Sequence, residues 1–183
     1  ELHPAIELRE SGEFKKAKEW LDKFIEHSPN NAEALSLQSQ LLLLTNQIAE
    51  AEQKLIQAKA INPELPSVLR NHVRLLLIKA RPAEALEQAR QIYETAPDDP
   101  ESCLVLAACL RVNKKNQEAL NIINEALNYR TNYAEAFANK ALIELQLGET
   151  NSALANAEQA VSLKPQLTQI WELIADLKFQ SNN

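Results

Sequence analysis

Residues 134–165 read AEAFANKALIELQLGETNSALANAEQAVSLKP. Phe137 and Ala141 share one face of a helix, Gly148 breaks it, and Ala153, Ala157 and Ala160 form a second apolar stripe. Lys164-Pro165 ends that stripe, because the residue before a proline is pushed out of the α region. The segment is therefore two helices of about three turns each, joined by a short turn. Its punctuation recurs along the chain. Pro29, Pro63, Pro97 and Pro165 fall on a step of 34 residues, with one miss at Thr131. Ala17, Ala51, Ala85, Ala119 and Ala153 keep the same step, each twelve residues ahead of the proline position. Two periods in phase, undisturbed by insertions, describe an array of one small unit, and such arrays are usually binding scaffolds.

The apolar stripes return with the period. Leu35, Ser39 and Leu42 precede Ala51, Leu55 and Ala58, with a polar break at Thr45-Asn46-Gln47. Leu69, Val73 and Leu76 precede Ala85, Ala89 and Ile92, and Cys103, Ala107 and Leu110 precede Ala119, Ile123 and Ala126. Small residues recur where two helices cross closely, and a large one there would force the pair apart. The pattern predicts helices near 4–10, 13–27, 32–45, 48–61, 66–79, 82–95, 100–113, 116–129, 134–147, 150–163 and 168–180.

With these residues in place, the chain resembles the tetratricopeptide repeat family, whose unit is a 34-residue helix–turn–helix closed by a proline. The resemblance implies an all-α fold, a right-handed α-α superhelix (solenoid) of such repeats. It implies one array over 1–183: a partial first repeat at 1–31, full repeats at 32–65, 66–99, 100–133 and 134–167, and a closing helix at 168–183 with Trp171 in the position of Leu35 and Phe137. Two departures stand out. Thr131 replaces a helix-ending proline, so that junction reads as looser. Lys140 and Glu144 stand where the family has large apolar residues, and read as an ion pair shielded at the edge of the array.

Composition narrows the function. The chain is 45% hydrophobic with only 2 Gly, which suits helices and cannot build a glycine-rich phosphate loop. Net charge is −6, so a nucleic-acid backbone is not an expected ligand. The longest apolar run, Leu41 to Leu44, is far too short for membrane insertion. His3, His27 and His72 lie in no metal spacing, and no serine sits in a nucleophile-elbow context. No cofactor, metal or catalytic residue is expected, and the chain reads as a non-enzyme. Cys103 and Cys109, about 9 Å apart along one helix and on different faces, cannot bridge within it. Free cysteines suit a reducing compartment, which favours a cytoplasmic location. The start at Glu1, without Met and partway through a helix, reads as a fragment or processed form.

First helices of stacked repeats line a concave surface, where identity is free to serve binding. The inward stripe runs Glu33, Ser36, Gln40, Leu43 and Leu44; then Ser67, Arg70, Asn71, Arg74, Leu77 and Ile78; then Glu101, Leu104, Val105, Ala108, Arg111 and Val112; then Glu135, Ala138, Asn139, Leu142, Leu145 and Gln146. The expected peptide-binding groove is formed by Arg70, Asn71, Arg74, Leu77, Ile78, Leu104, Val105, Arg111, Asn139 and Leu142. An apolar band marks an interaction site, guanidinium forks pair with carboxylates, and amides bind peptide backbone. The expected partner is an extended peptide or helix, apolar with acidic groups. Some members of the family clamp a partner's C-terminal carboxylates with Lys, Asn and Arg, but Arg74, Val105 and Glu135 occupy those positions here, which argues against that adaptor type. An alternative is a regulatory or substrate-docking module of a larger enzyme, such as a glycosyltransferase, sulfotransferase or methyltransferase. Self-association through an open end of the array is a third possibility.

Overall fold

The computed structural model describes residues 1–181, all of whose regular elements are helices. They are α1 His3–Glu10, α2 Phe14–His27, α3 Ala32–Leu44, α4 Ile48–Ile61, α5 Pro66–Ile78, α6 Pro82–Thr95, α7 Pro100–Val112, α8 Asn116–Tyr129, α9 Ala134–Leu147, α10 Thr150–Leu163 and α11 Thr168–Ser181. Every expected helix is present, with ends within one residue of the expectation. The last two positions of the expected closing segment, 182–183, lie outside the described residues.

Local chemistry sets the helix starts. Pro66, Pro82 and Pro100 occupy first positions, where a missing N–H costs nothing. Asn31 Oδ1 accepts from Ala34 N at 2.9 Å, and Asp99 Oδ2 accepts from Ser102 N at 3.0 Å, each satisfying an orphan donor. The stops after α1, α3, α5, α7 and α9 share one device. Gly12, Asn46, Ala80, Lys114 and Gly148, each 34 residues after the last, take left-handed φ of 80°, 60°, 56°, 61° and 83°. The next N–H then reaches back over the helix end, as from Gln47 to Leu42 O at 2.8 Å, Lys115 to Leu110 O at 2.9 Å and Glu149 to Glu144 O at 2.9 Å. This is the Schellman closure, which satisfies carbonyls the helix leaves open.

The chain forms two compact units, residues 1–81 with α1–α5 and a second with α6–α11. In the first, α3 packs on α2 and α4, and α5 packs on α3 and α4. Ala5, Ala17, Leu21, Ala34 and Leu41 form one core, edged by Trp20 stacked on Phe24. Leu35, Leu55, Ala58, Val68 and Leu75 form the next. In the second unit, α7 packs on α6, α8 and α9, and α10 lies between α9 and α11. Ala138, Ala141, Ala157, Ala160, Val161, Ile170 and Ile174 make its terminal core. All five alanines of the 34-residue column are fully buried, as the close-crossing argument requires.

The two departures resolve differently from the expectation. The junction at Thr131 is closed by side chains instead of proline. Tyr133 is buried, its hydroxyl donates to Glu101 Oε1 at 2.8 Å, and the Arg130 guanidinium sits 4.6 Å from the centre of its ring. Lys140 and Glu144 form no ion pair among the described residues. Glu144 is buried and instead accepts from Asn156 Nδ2 at 2.7 Å, across the α9–α10 crossing.

Candidate peptide-binding face

Two helices of the first unit meet at an open apolar cleft of about 290 Å³. Gln40, Leu43 and Leu44 come from the last turns of α3, and Arg74, Leu77 and Ile78 from those of α5. Both sets belong to the expected stripe, so the structure brings Arg74, Leu77 and Ile78 together with their counterparts one repeat earlier. Leu44 is 57% exposed and Ile78 49%. Solvent-facing branched side chains side by side form an apolar patch, the kind of surface that marks an interaction site.

Amides hold the guanidinium groups at the cleft. Arg9 Nη1 donates to Gln40 Oε1 at 2.5 Å, and Arg74 Nη1 donates to Asn71 Oδ1 at 2.9 Å. Arg9, on α1, was not singled out from the sequence; its step of 31 residues to Gln40 crosses repeats and carries no local signal. Asn71 departs from expectation. It is 1% exposed, and its amide nitrogen donates to Ser36 O at 2.9 Å and Ser36 Oγ at 3.0 Å. Its role is to bond α5 to α3 and to orient Arg74, so it offers no amide to a peptide backbone. Ser36 is buried for the same reason. Arg70 is half-buried on the same helix, one turn before Arg74.

The second unit fits the expected stripe less well. Leu104 and Val105 are buried, because α7 is covered by helices on several sides. They serve the interior instead of an open band. Asn139 is half-buried and donates to the Glu135 carbonyl of its own helix at 3.0 Å, while Leu142 remains half-exposed. Arg111 is half-buried, and its Nε is enclosed without a hydrogen-bond partner. Burial pulls its guanidinium below the usual arginine value.

Elsewhere chemistry is sparse. Among the described residues no group of His, Cys, Asp and Glu is placed to hold a metal ion. Neither cysteine is in a disulfide and both are buried; Cys103 Sγ donates to Pro97 O at 3.3 Å, and burial pushes its thiol up to about 11. No described helix is long and apolar enough to cross a membrane. A hollow of about 410 Å³ lies at the helix junction around Asn31 and Asn62, whose side-chain oxygens already accept from the Ala34 and Glu64 backbone N–H groups.

Comparison with known proteins fits the repeat geometry. Family profiles described as tetratricopeptide repeat match residues 5–66 and residues 134–167. The chain belongs to the tetratricopeptide repeat family. Comparison with curated protein sequences gives no match. Among solved structures, this repeat array is similar to TTC0263, a thermophilic repeat protein of Thermus thermophilus, with a TM-score of 0.80 at 16% identity, covering 97% of each chain. It is similar to PilW, a type IV pilus biogenesis factor, with a TM-score of 0.67 at 18% identity over 90% of this chain and 76% of that one. It is also similar to YrrB, described as a repeat protein with an unusual peptide-binding site, with a TM-score of 0.56 at 20% identity over 92% and 87%. At these identities the likeness is one of fold. Tetratricopeptide repeats form protein-interaction modules and are generally non-catalytic, and this array is an interaction module of that class.

Proposed function

We propose that this tetratricopeptide array is a non-enzymatic scaffold that binds an extended peptide or a partner helix along its first helices. The observation that carries the reading is the cleft of Leu43, Leu44, Leu77 and Ile78 with Arg74 at its edge. The apolar side chains supply most of the affinity, and the arginines orient a segment that combines apolar residues with an acidic group. Arg70 and Arg74 act from the first unit. Leu142, half-exposed, is apolar surface of the second unit. YrrB, alike in fold, is described as having a peptide-binding site, which supports the class of ligand.

The test is a selection of peptides from a random display library on the intact chain, followed by methyl NMR titration with the enriched peptides. Shifts concentrated on Leu43, Leu44, Leu77 and Ile78 are expected. Shifts confined to the outward helices α2 and α4 would overturn the reading.

A further inference from the structure

A glutamine amide has two chemically opposite ends, and at the α3–α5 cleft its neighbours decide which end a ligand meets. Arg9 Nη1 donates to Gln40 Oε1 at 2.5 Å. A guanidinium only donates, so the end of the amide that it touches is the oxygen. The Arg9 side chain is mostly buried, and its Nη2 meets Glu10 Oε1 at 3.4 Å, which holds the guanidinium in place. Among the described residues nothing accepts from the Gln40 amide nitrogen, and Gln40 lines the cleft beside Leu43, Leu44, Leu77 and Ile78. Arg74, the other polar residue of the lining, stands 34 residues later at the same position of the next repeat. It too only donates, and Asn71 Oδ1 orients it at 2.9 Å. The side chains that line the cleft therefore carry donors, and their one acceptor oxygen is already engaged by Arg9.

We propose that Arg9 is a positioning residue that turns the Gln40 amide nitrogen toward the ligand, so that the cleft selects an Asp or Glu side chain over its Asn or Gln counterpart. This rests on the peptide-binding reading above. A carboxylate has two oxygens that only accept, and it can meet Gln40 Nε2 and the Arg74 guanidinium together. A carboxamide has one oxygen, and its own N–H groups would confront a donor, which discriminates against it. Leu43 and Leu44 come from α3 and Leu77 and Ile78 from α5, so apolar contacts lie on both sides of the acidic group. The carboxylate thus belongs to a side chain within the segment, flanked by aliphatic residues, and not to a chain terminus.

Isothermal titration of the whole chain tests this. The probes are display-selected peptides that shift the Leu43, Leu44, Leu77 and Ile78 methyl groups, blocked at both ends and synthesised with either Glu or Gln at the acidic position. The Glu form binds about five- to ten-fold more tightly, because a charge-assisted hydrogen bond replaces a neutral one. Gln40→Glu, whose oxygens both accept, abolishes that preference. Arg9→Met frees the amide to turn and cuts the preference by about three-fold or more. Arg9→Lys, still a donor-only cation, keeps it. A merely structural role for Arg9 would weaken both peptides alike and leave their ratio unchanged. That result, a Gln40→Glu variant that still prefers the Glu form, a failed Arg9→Lys rescue, or binding that requires a free C-terminus would overturn the proposal and leave the peptide-binding reading standing. If no selected peptide shifts those methyl groups, both fall.

Discussion

Lys114 and Ala80 hold left-handed backbone, with φ of 61° and 56°, which L-residues other than Asn and Asp rarely adopt. The closing of α7 and α5 against their following turns imposes it. Ala80→Gly and Lys114→Gly should therefore each stabilise by about 0.5–1 kcal/mol, read from urea midpoints. Gly148→Ala should cost about 1 kcal/mol, and from backbone strain alone, since no atom lies within 4 Å of the added Cβ. Part of this turn column is legible in the sequence: Gly12, Asn46 and Gly148 are ordinary turn residues, whereas Ala80 and Lys114 carry no turn chemistry and only the period marks them. Two titrations also belong to single residues. The Glu125 carboxylate accepts the Tyr93 hydroxyl at 2.7 Å and raises that group from 10.0 to about 12, while burial raises Cys103 from 9.0 to about 11. Both hold their protons longer in the folded state, so their contribution is full below about pH 9 and is lost as pH climbs to about 12. Denaturation midpoints should fall across that window, and Tyr93→Phe should flatten its upper half. Neither Cys103 nor Cys109 should react with a disulfide reagent until the chain is unfolded, because both are buried.

Packing decides the elements. The column Ala17, Ala51, Ala85, Ala119, Ala153 has no exposed surface, so Ala85→Leu and Ala119→Leu should each destabilise by roughly 1–3 kcal/mol through overpacking at a crossing. An unchanged melting temperature for both would place these residues on a slack surface and contradict the packing. Helix ends were readable because each is marked by chemistry within one or two residues: prolines at the starts of α5, α6 and α7, and Asn31 and Asp99 as caps. The inward face was read less well. Helical spacing tells which side chains share a face but not what covers it. Asn71 and Ser36 are polar and so resembled surface residues, yet their hydrogen bonds join α5 to α3 from inside. Leu104 and Val105 resembled an exposed apolar band but are buried in the structure. Tyr133 shows the converse: its hydroxyl bond to Glu101, one repeat earlier, ties down the junction that lacks the proline, and nothing near Thr131 in the sequence announces it.

At the scale of the molecule, the 34-residue step specifies the architecture almost completely, because every repeat solves the same packing problem with the same small residues. It does not specify the ligand. On the proposed reading that information sits in Leu44 and Ile78, which the packing leaves exposed, and in Arg74 beside them, residues drawn from two successive repeats. The central claim is that this face binds a partner combining apolar and acidic groups, and its most direct test is a charge reversal. Isothermal titration of a display-selected acidic peptide should show Arg74→Glu weakening binding by at least ~1.5 kcal/mol, the lower end for a charge-assisted hydrogen bond, with the fold unchanged. Lys59→Glu, on the exposed side of α4, should leave the affinity as it was. Equal weakening by both substitutions, or by neither, would contradict the account.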